Sequence, residues 1–118
     1  MAEVRQNKLS IVFQDLRLFE QLTAKENILL KNKLQNHKTL KQINEMAQKL
    51  GVSDLLKKTC GTLSFGQRQR IAIIRALCQP FDFLLLDEPF SHLDEVNIKA
   101  ATQLIKKECE DQGSSLIL

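Results

Sequence analysis

Tyrosine and tryptophan are absent from the 118 residues, and only four glycines and two prolines punctuate them. The missing aromatics leave six phenylalanines as the only side chains able to stack broadly on a base. No apolar run approaches the ~18 residues a membrane-spanning helix needs, and there is no signal peptide. Cys60, Cys78 and Cys109 are an odd set without C-x-x-C spacing, which argues against a disulfide framework or a metal cage and for reduced thiols. A large charge of one sign is also lacking. Seventeen basic residues against 14 acidic ones leave +3, too small and too dispersed for a nucleic-acid footprint. The basic residues from Lys31 to Lys41 alternate with Asn, Gln and Leu and read as a solvated helical face.

One further absence carries chemistry. None of Gly51, Gly61, Gly66 and Gly113 precedes a Lys-Ser or Lys-Thr pair, so the phosphate-cradling loop G-x-x-x-x-G-K followed by Ser or Thr is not found in this sequence. That loop supplies most of the fixed positive potential that binds a nucleotide to its own subunit. Very weak ATP binding by this chain alone is the expectation.

What is present suits one globular domain or part of one, with 43% apolar and 26% charged residues. Leu9 to Phe13 is a short β-branched and aromatic run, a buried strand ending at Gln14-Asp15. Arg17 to Thr23 reads as a loop. Thr23 with Glu26 matches a capping box and opens a helix to about Leu34. Thr39 caps a second helix carrying Leu40, Ile43, Met46 or Ala47, and Leu50, which Gly51 stops. Ser53-Asp54 caps a short turn. Ser64 begins a third helix with Ile71, Ile74 and Leu77 on one face, ended by Pro80. Phe83 to Leu86, apolar on both faces, predicts a central parallel strand. Asp94-Glu95 opens a last helix with Val96, Ala100 or Ala101, Leu104 and Ile105 inward, ending near Gly113, and Ser115 to Leu118 starts another strand. The class is α/β, and there is no internal repeat.

Two motifs carry reactive chemistry. Asp87 and Glu88 follow a buried strand, at the end where open α/β sheets bind ligands. Successive side chains diverge, so the acids can divide the work: Asp87 suits Mg²⁺ through its water shell, Glu88 suits the role of general base to an attacking water. Pro89 biases Glu88 toward extended backbone. At the start of the third helix, the Ser64 hydroxyl and the N–H groups of Gly66 and Gln67 make an anion site favoured by the helix dipole. Taken alone, Ser64 reads first as a helix cap. Gln14, an amide where a strand enters a loop, can touch Mg²⁺ or its water without adding charge.

These pieces, in this order, resemble the ATP-binding subunits of ABC transporters. Val12-Phe13-Gln14-Asp15 looks like the glutamine loop, Leu63 to Gln67 like the LSGGQ signature, Phe83 to Glu88 like the second Walker motif, and Ser91 to Asp94 like the loop that follows it. The resemblance covers nearly the whole chain. The short interval from Gln14 to Leu63 fits a small helical insert and not the long coiled coil of the chromosome-maintenance members.

The resemblance implies a P-loop NTPase (RecA-like) parallel-sheet core with an inserted all-helical signature subdomain. Residues 1–15 would be core strand and glutamine loop, 16–80 the helical subdomain, and 81–118 the partial core. It implies a head-to-tail dimer with a second ATP-binding domain and ATP and Mg²⁺ between them. Ser64, Gly66 and Gln67 would contact the γ-phosphate across the interface. Gln14 and Asp87 would serve Mg²⁺, Gln14 and Glu88 the attacking water, and Asp94 communication between subunits. Leu16 to Ile28 would face a membrane permease, placing the protein in the cytoplasm, peripheral to the inner membrane, with no nucleic-acid partner.

Phe65 replaces a signature glycine, which strains the turn only if that position needs positive φ. His92 replaces a usually small residue and reads as exposed or packed, not as a ligand. Three readings stay open: a piece of a transporter ATPase inactive alone, a module donating its signature to a partner, and a soluble ABC ATPase away from membranes. The central strand is expected to have unpaired edges and at least one bare face, so that the chain self-associates.

Overall fold

Four helices begin on a side-chain cap, and these caps set the frame. The computed structural model describes residues 9–12, 16–35, 38–79 and 81–117. Phe13, Gln14, Asp15, Pro80 and Leu118 lie outside the described residues. Strand β1 spans Leu9–Val12, helix α1 Ala24–Gln35, α2 Leu40–Lys49, α3 Phe65–Leu77, strand β2 Phe83–Leu86, helix α4 Glu95–Gln112 and strand β3 Ser115–Ile117.

Thr23 and Glu26 form the expected reciprocal box at α1, with bonds of 3.0 and 3.1 Å. Thr39 with Gln42 and Ser64 with Gln67 repeat it at α2 and α3. Asp94 caps α4 by accepting from the Asn97 N–H at 2.8 Å. Helix α2 is followed, and α4 closed, by a left-handed glycine, Gly51 at φ 70° and Gly113 at φ 62°, a conformation only glycine adopts without strain. Ser53 and Asp54 do not cap the turn they belong to. They lie within a 3-10 turn, Ser53–Leu55, whose start has no side-chain cap.

The sheet is parallel throughout, in the order β1-β2-β3. Register pairs Ser10 with Leu84 and Val12 with Leu86, and all four are buried. This face meets α3, and the Ser10 hydroxyl donates to the Ala76 carbonyl at 2.9 Å. On the other face Leu9 is exposed and Ile11, Phe83 and Leu85 are half-buried. Strand β2 is therefore central, but both its edges are paired, one to β1 and one to β3. The expectation of unpaired edges on β2 is corrected: the open hydrogen-bonding edges among the described strands belong to β1 and β3.

Helix α3 is buried on more than the single stripe read from Ile71, Ile74 and Leu77. Gln69, Ala72, Ile73 and Ala76 are buried too, because α3 is packed by α1, α2, α4 and β1 together. Helix α4 departs in the opposite sense. Its inner stripe is Ala101, Leu104, Ile105, Glu108 and Cys109, while Val96 is 77% exposed. The buried face of α4 begins only at Ala101, so Val96 in the first turn is left to solvent. Glu108 tolerates burial because the Lys38 ammonium pairs with it at 2.7 Å.

All three cysteines are free and buried. Burial pushes the Cys78 thiol up to about 12, with Lys38 opposing and Glu108 adding to the effect. Burial also raises the Cys60 and Cys109 thiols. The native state keeps these protons where the unfolded chain would lose them. The thiols' contribution to stability is therefore full below the ordinary thiol value of about 8.5 and is lost as pH rises toward about 12. Denaturant midpoints should fall across that alkaline window, and Cys78→Ala should flatten the fall; an unchanged slope in the variant counts against it. In a second measurement, Ile105→Ala should cost about 2–5 kcal/mol and Val96→Ser less than about 0.5 kcal/mol by urea unfolding.

Candidate functional site

The start of α3 and the turn from Asp87 to Asp94 are built against each other. Ser64 precedes α3 with extended backbone, φ −64° and ψ 162°. Its hydroxyl accepts from the Gln67 N–H at 3.2 Å, and the Gln67 side chain accepts from the Ser64 N–H at 2.9 Å. The Gln67 N–H is thus occupied by the cap and is not the free donor that the sequence suggested. Phe65 is the first helical residue, and among the described residues only Leu16, Arg17 and Glu88 combine a side chain with positive φ. This position needs no glycine, so Phe65 carries no backbone strain.

Gly66 is required for a different reason. A methyl group there would lie 2.6 Å from the His92 carbonyl oxygen. The helix start and the later turn approach so closely that only a bare α-carbon fits. The rings of Phe65 and His92 meet beside this contact, centroids 4.5 Å apart and tilted by 52°. The Arg68 guanidinium stands 5.7 Å over the Phe65 ring. His92 is exposed, with its Nδ1 3.0 Å from the Ser91 hydroxyl.

Asp87 and Glu88 lie just past the end of β2, and both are exposed. The Asp87 N–H donates to the Val12 carbonyl at 3.0 Å, extending the β1–β2 ladder by one residue. Glu88 adopts φ 51°. The extended backbone expected from Pro89 is overridden, because the chain must leave the strand and fold back onto α3 within the same turn. Asp94 is committed by one oxygen to capping α4. The structure thus brings Gly66 against the turn that carries Glu88, whereas Gln14 lies outside the described residues. Among the described residues no three His, Cys, Asp or Glu side chains gather as a metal cluster. Two clefts, of about 110 and 290 Å³, lie elsewhere among the described residues, lined by residues of α4 with Lys49 and, in the smaller one, Lys38 and Gln42.

Three residues of this architecture escaped the sequence reading. Gln69, fully buried, reaches from α3 to the Glu88–His92 turn. Asn27, also fully buried, accepts from the Phe19 N–H at 2.8 Å and donates to the Phe19 and Thr23 carbonyls, both at 3.0 Å. Arg75 donates to the Leu16 and Arg17 carbonyls at 2.6 and 2.8 Å. Leu16 and Arg17 both have positive φ, 61° and 50°, so the guanidinium holds a strained pair in place. The loop they shape leaves Phe19 57% exposed. The only available signal was general: a polar side chain on the inner face of a helix must find partners if it is buried.

The sequence pattern of the ABC transporter family matches residues 1–91. The chain belongs to the ABC transporter family. Among relatives, it is 36% identical to the thiamine import ATP-binding protein ThiQ of Haemophilus ducreyi over 99% of this chain and 56% of that protein. Against ThiQ of Aliivibrio fischeri the identity is 47% over 77% of this chain and 40% of the relative. The sulfate/thiosulfate import ATP-binding protein CysA of Anthoceros angustus is 35% identical over 93% of this chain and 30% of its own. The chain spans about half the length of the ThiQ relatives it matches. Among solved structures, the dimeric form of MJ0796, a bacterial ABC transporter cassette, superposes with a TM-score of 0.79 at 29% identity, over 94% of this chain and 51% of that one. The RNase-L inhibitor superposes at 0.78 with 24% identity over 99% of this chain and 23% of its own, a likeness of fold alone. These ABC neighbours place the described parallel sheet and helices within the P-loop NTPase class. No helix among the described residues is long and apolar enough to cross a membrane.

Two substitutions separate the roles of neighbouring positions at the start of α3. Gly66→Ala should destabilise the fold by about 1–3 kcal/mol through its collision with the His92 carbonyl. Phe65→Gly should relieve nothing and cost about 1 kcal/mol in helix propensity. Thermal unfolding reads both, and a stabilised Phe65→Gly would show that the position does want glycine.

Proposed function

We propose that this chain is the signature-bearing part of an ATP-binding, ATP-hydrolysing subunit that powers import through a membrane permease. The observation that carries the reading is the joined surface of the α3 start and the Glu88–Asp94 turn at the C-terminal end of the central parallel strand. Ligands of open α/β sheets bind at that end, and the positive end of the α3 dipole favours phosphate. The direction is supported by the relatives, whose names describe import of thiamine or of sulfate and thiosulfate.

In this reading α1, α2 and α3 form the helical signature subdomain of residues 16–80, set between core segments 1–15 and 81–118. Ser64, Gly66 and Gln67 meet the γ-phosphate of a nucleotide held by a second ATP-binding domain in a head-to-tail dimer. Glu88 accepts a proton from the attacking water, which Gln14 would also serve, and Asp94 serves communication at the subunit contact. Asp87, an exposed hard-oxygen donor at the strand end, fits a Mg²⁺ ion that keeps most of its waters, and Gln14 is its neutral companion. When bound, that ion neutralises charge on the phosphate oxygens. The stretch from Leu16 to Ile28, a loop running into the first turns of α1 and held by Asn27 and Arg75, presents Phe19 to the permease. Such a subunit works in the cytoplasm, at the membrane but not in it. Association of the chain with itself follows from the open edges of β1 and β3 and the half-buried sheet face.

By itself the chain should release no phosphate from ATP above background. Joined to a domain that carries the lysine loop, it should restore hydrolysis, and Glu88→Gln should lower turnover about 100-fold or more while ATP binding persists. Turnover by the isolated chain, or a joined Glu88→Gln variant as fast as its parent, would sink the assignment.

A further inference from the structure

Gln69 is fully buried, and its amide spends its bonding on one turn of the chain. Its Nε2 donates to the Ser91 hydroxyl at 2.9 Å and to the Glu88 carbonyl at 3.4 Å. Its Oε1 accepts from the His92 N–H at 3.1 Å. Three contacts from one side chain therefore fall within Glu88–His92, the turn whose first residue is left-handed and whose fifth presses its carbonyl on Gly66.

A non-glycine residue at φ 51° is held against its own preference. A following proline pushes it further toward extended backbone. Something must fix Glu88 in place: Gln69 grips the chain on its C-terminal side, at the Glu88 carbonyl and the two residues beyond Phe90, while the Asp87 N–H bond to the Val12 carbonyl anchors the residue before it. The direction of the Glu88 carboxylate follows from that backbone. We propose that Gln69 is a positioning residue that selects the left-handed conformation of Glu88 and so aims its carboxylate, joining the signature helix and the Glu88 turn into one rigid piece. The aim matters for hydrolysis only if Glu88 serves as the base, and to that extent the inference rests on the function proposed above; the backbone claim does not.

The consequence is mechanical. A phosphate drawn to the start of α3 by one subunit's signature would move that subunit's own glutamate with it. Binding across one interface would thereby be felt at the acid that serves the other.

Nuclear magnetic resonance on the isotope-labelled chain reads this without activity. Positive φ brings the amide and α protons of one residue close, so Glu88 should show a strong intraresidue NOE, and the Gln69 side-chain amide should show NOEs to Ser91. Absence of either in the wild-type chain overturns the proposal, and this measurement requires no variant to fold. Gln69→Met, close in volume and without hydrogen bonds, should lose the strong Glu88 NOE while the resonances of α1 and β1 keep their positions. Retention of that NOE in the folded variant also overturns the proposal. Gln69→Glu should keep the His92 N–H protected from exchange, because its carboxylate still accepts, yet lose the Glu88 conformation because it cannot donate to the carbonyl. In the joined, hydrolysing form, Gln69→Met should lower kcat about tenfold or more and leave KM within about twofold. Intact NOE behaviour with no hydrolysis in that form would count against the role of Glu88, not against the grip of Gln69.

Discussion

The burial of α3 is the constraint from which the remaining architecture follows. One helix packs against β1, bonding Ser10 through its Ala76 carbonyl, and the same helix is packed by α1, α2 and α4. Its start carries Ser64 and Gly66, its middle carries Gln69, and its end carries Arg75. Displacing α3 would therefore disturb the signature, the Glu88 turn and the Leu16–Arg17 loop together. In a close-packed interior such a shift has no soft direction, since neighbouring side chains already fill the available space.

The three polar side chains on this framework each fix one irregular segment. Asn27 shapes the backbone from Phe19 to Thr23, Arg75 holds two left-handed residues, and Gln69 holds a third. Irregular backbone near a core leaves polar groups that water cannot reach, and a buried amide or guanidinium is the cheapest partner. Lys38 and Glu108 solve a related problem between the approach to α2 and α4 with a pair of charges, neither of which could be buried alone.

Local chemistry was legible in the sequence where it acts over a few residues. The caps at Thr23, Thr39, Ser64 and Asp94 and the stop at Gly113 all depend on near neighbours. Of the readings that failed, those at Val96 and Glu88 depend on distant residues, while the one at Gln67 is local. Val96 sits at a helical spacing that suits the core, but it points away from the buried face of α4. Glu88 obeys its contact with Gln69 over the preference set by Pro89. The Gln67 N–H turned inward to the Ser64 cap, because a serine that can bond its own helix does so. The motif order revealed the candidate site residues; the grip that unites them runs through Gln69, which belongs to none of those motifs.

The hydroxyl of Ser10 and the carbonyl it reaches on Ala76 are 66 residues apart in sequence. Every pairing of β1 is comparably distant, since its partner strand is β2. During synthesis β1 therefore emerges long before β2, its partner among the described strands, while α1 and α2 can form from local caps alone. Loop-closure entropy must be met before the sheet returns any free energy, so the helices have to gather first and the strands last. The half-buried face that remains is then the latest surface of this chain to take shape, and the one longest exposed to other nascent chains.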